Sequence, residues 1–344
     1  MRIVKVNKDS IANILSDLLK RSPTNYGDFQ DKVDAIIKNV RDNGDKAVFD
    51  YTAQFDKAEI NAENILVTEE EIKEAYEEVD DELIKVIRKA IKNIRDFHEK
   101  QIQKSWFETR EDGVMLGQKV TPMETCGVYV PGGKAVYPSS VLMNIVPAHV
   151  AGVKNIIMTT PPGKDGKVTA NTLVAAKEAG ATKVYKVGGA QAIAAMAFGT
   201  ESIPKVDKIV GPGNIFVALA KKAVYGNVSI DSIAGPSEIL VLADETANPR
   251  YVAADLLSQA EHDEMASAIL VTTSEELAHK VSDEIDGFLN QLSRKEIMEK
   301  SLDSFGYILV ASDMKEAIDT ANAIASEHME IMTANPFDVM TRIK

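Results

Sequence analysis

The chain has 344 residues, 45% hydrophobic and 26% charged, and its 39 Lys and Arg against 52 Asp and Glu give a net charge of −13. This acidic balance argues against nucleic acid or an anionic membrane as the main partner. The sequence shows no apolar run of ~20 residues and no signal peptide, so it does not predict membrane association. The single cysteine, Cys126, can form no disulfide within the chain, which favours a reducing, cytoplasmic location.

The first third of the sequence predicts mainly helices. A short strand at residues 2–6 and one amphipathic helix make a unit too small for its own core, so residues 1–24 are predicted to form an arm that packs on a partner. Residues 26–104 are helical and rich in charge, and Thr68 with Glu71 forms a capping box at the start of one helix. The charged faces of these helices are expected to be solvated.

From Val114 onward, strands alternate with helices, which is the pattern of βαβ units with parallel sheets. The number of units predicts two sheets, with a boundary at residues 234–236. We therefore predict an α/β protein with two Rossmann-like domains. Residues 127–236 form one domain, and residues 25–126 together with 237–344 form the other.

Three predicted strand-to-helix turns contain glycine: Val130-Pro131-Gly132-Gly133, Val187-Gly188-Gly189-Ala190-Gln191 and Val210-Gly211-Pro212-Gly213-Asn214. Each turn follows the carboxyl end of a strand, where open α/β sheets bind ligands and backbone N–H groups can receive phosphate. None matches G-x-G-x-x-G, and any one of them can equally be structural. Together they favour a nucleotide site, in which Gln191 and Asn214 bind ribose or phosphate. Tyr129 either contacts a ring or is an ordinary half-buried strand tyrosine.

The stretch DLLSQAEHD, residues 255–263, predicts a helix that follows the start signal Asn248-Pro249. Gln259 and His262 are three residues apart and would share one helix face, where an amide oxygen and an imidazole could bind one metal ion or one substrate. The alternative is a surface glutamine and a helix-end histidine stabilised by the helix dipole.

Glu327 and His328 are predicted to end the last helix, which runs from Met314 to about His328. Adjacent helix residues point about 100° apart, so the pair would contact different sides of one substrate. A histidine with a pKa of about 6.5 suits general-base work, and a glutamate can activate water. The alternative is a helix-end dipeptide on the surface.

Six segments together resemble the L-histidinol dehydrogenase family in sequence and order: YVPGG (129–133), VGGAQAIAA (187–195), VGPGNIFV (210–217), AGPSEILVLAD (234–244), DLLSQAEHD (255–263) and SEHMEI (326–331). The resemblance covers essentially the whole chain. It implies a zinc enzyme, an intertwined homodimer, that oxidises L-histidinol to L-histidine through histidinal while reducing two NAD.

The resemblance also implies residue roles: zinc binding by Gln259 and His262, substrate contact by Ser237, Gln259, His262 and His328, NAD contact by Tyr129, Gln191 and Asn214, and catalysis by Glu327 and His328. Glu327 would activate the hydrolytic water, and His328 would take the alcohol proton. The family's two other zinc ligands, an Asp and a His, and a further substrate-binding Glu lie beyond residue 344. We therefore expect the 344-residue chain to fold but to be impaired in zinc binding and turnover.

Two other functions fit the same residues. One is a relative of the family that oxidises another small polyol or amino alcohol by the same chemistry. The other is a non-catalytic protein that binds NAD or another ligand. Zinc content and NADH production from histidinol distinguish the three.

Overall fold

The structure is a computed structural model that describes most of the chain: residues 1–19, 27–132, 138–233 and 235–344. Three predicted features fall outside these residues: the arm boundary at residue 24, Gly133 of the first glycine turn and Ala234 of the predicted domain boundary. None of the helices in the described part of the chain is both long enough and apolar enough to cross a bilayer.

Helices and strands alternate through most of the described residues. The helices are α1 Lys8–Leu19, α2 Gly27–Phe55, α3 Glu69–Glu78, α4 Asp81–His98, α5 Pro138–Val150, α6 Ala170–Ala179, α7 Gly189–Phe198, α8 Ile215–Val224, α9 Pro249–Ala260, α10 Glu275–Leu289, α11 Lys295–Phe305, α12 Met314–Ile324 and α13 Pro336–Met340. The strands are β1 Arg2–Lys5, β2 Trp106–Thr109, β3 Met115–Gln118, β4 Thr125–Tyr129, β5 Asn155–Thr160, β6 Lys183–Lys186, β7 Lys208–Val210, β8 Ser229–Ile230, β9 Glu238–Ala243, β10 Ser267–Thr272, β11 Gly306–Val310 and β12 His328–Met332.

The chain divides into two compact units, one of Met1–Asn25 with Gly235–Lys344 and the other of Tyr26–Ala234. The predicted α/β class with two parallel sheets is confirmed. The structure differs in where residues 25–126 belong, because α2, α3 and α4 bury their apolar stripes in the two cores of the Tyr26–Ala234 unit. An apolar stripe shows that a helix must be covered, but it does not show which sheet covers it.

The Tyr26–Ala234 unit contains a five-stranded parallel sheet in the order β6-β5-β4-β7-β8. Helices α2, α7 and α8 pack on one face, and α3 to α6 pack on the other. Alternate residues of β5 face opposite cores, since Ile157 belongs to the first and Ile156 to the second. The strand order reverses between β4 and β7, which opens a crevice at the carboxyl ends of these strands.

The other unit contains a five-stranded parallel sheet in the order β1-β11-β10-β9-β12. Helices α9 to α11 cover one face, and α1, α12 and α13 cover the other. The N-terminus therefore differs from the predicted arm. Strand β1 pairs with β11 inside this sheet, with Arg2 opposite Tyr307, and its main-chain hydrogen bonds are made within the chain.

An antiparallel hairpin, β2 and β3, extends from the Tyr26–Ala234 unit. Its two strands are exposed along their whole length. Large apolar side chains of the hairpin face solvent: Trp106, Phe107, Met115 and Leu116.

Candidate functional site

A pocket of about 650 Å³ lies at the carboxyl edge of the sheet in the Tyr26–Ala234 unit. Residues from all three predicted glycine turns line it: Gly132, Gly189, Ala190, Gln191 and Asn214, with Tyr129 at the end of β4. The structure thus brings together the three residues predicted to contact a nucleotide. Their binding role remains a prediction.

Tyr129 is buried, unlike the half-buried strand tyrosine that was the alternative. Its hydroxyl oxygen accepts a hydrogen bond from the Gly189 backbone N–H at 3.1 Å. Burial raises the pKa of Tyr129 to about 12, and the negative charge of Asp56 acts in the same direction. The phenol therefore stays protonated at neutral pH and keeps an O–H group for donation.

Gln191 is 1% exposed, and neither amide atom of its side chain has a hydrogen-bond partner among the described residues. A buried polar group left unpaired costs about 1–3 kcal/mol. A buried amide without a partner is typical of a side chain whose hydrogen-bond partner is supplied by a bound ligand. Since Gln191 lines the pocket, its amide fits a polar ligand that both donates and accepts.

Asn214 caps helix α8. Its side-chain oxygen accepts hydrogen bonds from the backbone N–H groups of Phe216 at 3.1 Å and Val217 at 3.3 Å. The cap uses the amide oxygen, so only the NH₂ group remains to contact a ligand. The predicted role of Asn214 is thereby narrowed to donation, which suits phosphate or another acceptor.

The third glycine turn is fixed by an ion pair between a buried lysine and a solvent-accessible aspartate, which the sequence analysis missed. Lys221 pairs with Asp231, and its ammonium group donates to the Gly211 carbonyl at 2.9 Å. The Asp231 carboxylate accepts from the Gly211 N–H at 2.8 Å. Lys221 and Lys222 both occur in the last turn of α8, where a lysine is expected simply to stabilise the helix end. The sequence therefore gives no signal for this contact.

The remaining predicted residues lie at the amino ends of β9 and β12 in the other unit. Ser237 directly precedes β9, and His328 begins β12 opposite Ile239. Helix α9 connects two parallel strands and so returns to the edge where β10 begins. Gln259, in the last turn of α9, and His262, two residues beyond its end, are therefore carried back to this same edge of the sheet. The prediction that the helix continues through residue 263, with both side chains on one helix face, is wrong, because α9 ends at Ala260.

The prediction that the last helix continues to about His328 is wrong. Helix α12 ends at Ile324, Ala325 adopts a left-handed backbone with φ of 52°, and β12 begins at His328. Pairing with β9 decides the conformation of this segment against its local helical pattern. The helix-based angle between Glu327 and His328 does not apply, but the Glu327 carboxylate still lies 3.7 Å from His328 Nδ1.

The hydrogen bond of His328 selects its neutral tautomer. Nδ1 lies 3.0 Å from the Glu238 carbonyl oxygen. Because a carbonyl can only accept, Nδ1 carries the proton and Nε2 is left as the basic nitrogen. The ring is half exposed, so a ligand can reach it.

The sequence model of the family described as Histidinol dehydrogenase matches residues 19–344. A histidinol dehydrogenase of Clostridium acetobutylicum is 58% identical over 309 residues, which is 90% of this chain and 71% of that protein. One from Bacillus subtilis is 56% identical over 342 residues, 99% of this chain and 79% of that protein. The crystal structure of the Elizabethkingia anophelis enzyme matches with a TM-score of 0.94 and 38% identity, covering 100% of this chain and 78% of that chain.

The chain belongs to the histidinol dehydrogenase family. Its motif resemblance is confirmed, and the family places it among the oxidoreductases. The match includes residues of both units, and therefore the residues of the pocket and those at the amino ends of β9 and β12.

The chain also has a carboxyl pair that the sequence analysis missed, Glu330 on β12 and Asp255 on α9. Burial, followed by a hydrogen bond with Asp255 and the negative charge of Asp255, raises the pKa of Glu330 to about 7, against the opposing effect of the His328 charge. Protonated Glu330 can donate to the Asp255 carboxylate and so link β12 to α9. The two residues are distant in sequence, and only the packing of helix on strand reveals the pair.

Glu330→Gln is expected to flatten the pH dependence of stability. The folded-state pKa of about 7 lies above the ordinary value of 4.5. Stability linked to Glu330 is therefore fully present below about pH 4.5 and is lost as the pH rises through about 7. An amide stays neutral and can still donate to Asp255. Compared with the wild type, the variant should have a higher Tm at about pH 8 and a smaller difference in Tm between about pH 5 and pH 8.

Thermal unfolding of the wild type, Glu330→Gln and the control Glu245→Gln tests this expectation. Glu245 is an exposed glutamate in the same unit. Equal pH profiles for all three proteins would show that Glu330 titrates like a surface carboxyl.

The histidinol dehydrogenase family implies zinc, and the described residues do not form a complete site for it. No three His, Cys, Asp or Glu side chains among them are grouped so that they could hold a metal ion. Gln259 and His262 contribute one amide oxygen and one imidazole, whereas zinc sites in enzymes usually have three protein ligands. No catalytic step is therefore assigned to zinc.

Proposed function

We propose that this chain catalyses the NAD-dependent oxidation of L-histidinol to L-histidine through histidinal. The observation that carries the proposal is the buried, unpaired amide of Gln191 in a pocket bordered by all three glycine turns. The family match over residues 19–344 supports the choice of substrate.

The pocket residues are proposed to bind NAD. The Tyr129 O–H, the Asn214 NH₂ and the Gln191 amide offer donors for phosphate, ribose or carbonyl oxygens, and Lys164 and Lys167 on the pocket wall favour an anionic ligand. Bound NAD supplies the hydride acceptor, while the protein supplies binding and orientation.

His328 is proposed to act as the general base. Nε2 takes the proton of the substrate hydroxyl as the carbon loses hydride, and the Glu238 carbonyl accepting from Nδ1–H stabilises the imidazolium that forms. Glu327 is proposed to take a proton from the water that hydrates the aldehyde. The anion of the hydrate that this leaves then gives a hydride to a second NAD and loses its remaining hydroxyl proton, giving the carboxylate.

Ser237, Gln259 and His262 are proposed to contact the substrate, and Gln259 and His262 also to contribute to a zinc site. A polypeptide limited to residues 1–344 is expected to hold zinc weakly and to turn over slowly, because of the two proposed ligands, Gln259 and His262, only His262 is a strong donor.

The test of the function is NADH production by the full-length gene product after addition of L-histidinol. The proposal expects two NADH per histidinol and zinc in the purified protein. Turnover only with another small polyol or amino alcohol would instead identify a relative with a different substrate. NAD binding without turnover of any of these, and without zinc, would identify a non-catalytic binding protein.

The proposed enzyme acts in the cytoplasm and assembles as a homodimer. Buried Cys126, the single cysteine, fits a reducing compartment. The exposed apolar hairpin β2–β3 offers surface that a second subunit could cover, and sedimentation measures the assembly directly.

Gln191→Met is expected to weaken NADH binding and to stabilise the protein without ligand. Methionine matches the size of glutamine but leaves no buried amide unpaired, so the unfolding free energy should rise by about 1 kcal/mol. Loss of the amide contacts should weaken NADH binding by about 5–150-fold. Gln118→Met on the exposed hairpin is the control for both measurements. A Gln191→Met protein with unchanged affinity for NADH would remove Gln191 from the nucleotide site.

A further inference from the structure

Asp56 is the first residue after α2, and its side chain lines the pocket. Its backbone N–H donates to the Thr52 carbonyl at 2.9 Å, which holds the residue in place. The side-chain oxygen Oδ2 is buried and has no hydrogen-bond partner among the described residues. Asp56 thus presents an unpaired acceptor in the pocket that contains Gln191.

Lys57 and Lys167, two cations near Asp56, are engaged with other partners. The Lys57 ammonium group donates to the Gln54 carbonyl at 2.7 Å. Lys167 on the pocket wall is paired with Glu74 at 3.0 Å. Burial alone raises the pKa of Asp56 to about 6, with no compensating charge or donor. An uncompensated carboxylate is costly, so its retention points to a partner supplied by the ligand.

The polar groups of the pocket wall suit two chemically different parts of a ligand. Tyr129 and Asn214 offer donors, and Lys164 offers a cation, so these groups suit phosphate or carbonyl oxygens. Among the described lining residues, Asp56 alone carries a carboxylate. A carboxylate accepts from hydroxyl groups and repels phosphate, so its partner is the hydroxyl-bearing part of the ligand.

We propose that Asp56 accepts hydrogen bonds from the hydroxyls of the adenosine ribose and makes this pocket select NAD over NADP. The inference rests on the proposed NAD site. NADP carries a phosphate on the 2′-oxygen of that ribose. This phosphate replaces the 2′-hydroxyl donor of NAD and places a negative charge next to the Asp56 carboxylate. NADP binding therefore loses one hydrogen bond and gains an electrostatic repulsion.

Equilibrium titrations of NADH and NADPH with the wild type, Asp56→Asn and Asp50→Asn test the proposal at about pH 8, where Asp56 is ionised. Asp50 is an exposed acid on the same helix, paired with Lys46, and serves as the control. Asp56→Asn should weaken NADH binding about 10-fold or more, the effect of losing a hydrogen bond to a charged group. NADPH binding should be unchanged or tighter. The preference for NADH should therefore fall, while Asp50→Asn keeps it.

The outcomes separate this inference from the function on which it rests. If Asp56→Asn keeps the wild-type preference for NADH over NADPH, or weakens the binding of both nucleotides equally, the role of Asp56 is overturned while the NAD site is not. A wild-type protein that binds neither nucleotide overturns the NAD site itself. Thermal unfolding checks that the variant is folded, and Asp56→Ser repeats the titrations with a smaller neutral side chain.

Discussion

His328→Ala is expected to lower kcat for the oxidation of both histidinol and histidinal by about 10²–10⁴-fold, the usual contribution of a positioned acid–base group. Both oxidations release a proton as hydride leaves, and Nε2 of His328 is the base that its hydrogen bond to Glu238 leaves free. Glu327→Gln should slow mainly the second oxidation, because only that step consumes water.

The kinetics are measured on the full-length gene product with histidinol and with histidinal as separate substrates. His279→Ala is the control, since His279 is an exposed histidine on α10 of the same unit. Near-wild-type rates for His328→Ala with both substrates would show that the Glu327-His328 pair only begins a surface strand and has no catalytic role.

Gly211→Ala is expected to destabilise the Tyr26–Ala234 unit by about 4 kcal/mol or more, a size reached by few substitutions. Gly211 has a φ of 120°, and an added Cβ would lie 2.1 Å from the Tyr129 carbonyl oxygen. The turn cannot move away freely, because Asp231 and Lys221 bind its N–H and C=O groups. The shift forced on Tyr129 should also abolish NADH binding.

Gly226→Ala separates the effect of the positive φ from the effect of the contact with the Tyr129 carbonyl oxygen. Gly226 also has a positive φ, 100°, but an added Cβ there would meet nothing within 4 Å. It should cost only about 1–2 kcal/mol, the price of a left-handed backbone for an L-residue. Denaturant unfolding of both variants measures the difference, and equal losses would show that the contact with Tyr129 relaxes easily.

The sequence was sufficient for the two parallel sheets, because strand–helix alternation is a local property that survives folding. It was not sufficient for the placement of α2, α3 and α4, since amphipathic helices can cover either sheet. The segment after Ile324 shows the same limit at short range. Its local pattern favours helix, yet pairing of β12 with β9 makes His328 a strand residue.

The site residues divide in the same way. Tyr129, Gln191 and Asn214 were predictable because each adjoins a glycine turn at the end of a strand. Asp56 was not, because its importance comes from the absence of a partner, which only the packed structure reveals. The raised pKa of Glu330 comes from burial and from Asp255, a residue on a different element that no spacing rule connects to it.

The pairing of β1 with β11 has a consequence for synthesis on the ribosome. Residues Arg2–Lys5 emerge before the Tyr26–Ala234 unit, but their partner Gly306–Val310 is made only after that unit. The Tyr26–Ala234 unit is continuous in sequence and can fold as soon as it leaves the exit tunnel. Strand β1 must therefore wait, with its backbone groups bonded to water, until β11 has been synthesised and can pair with it.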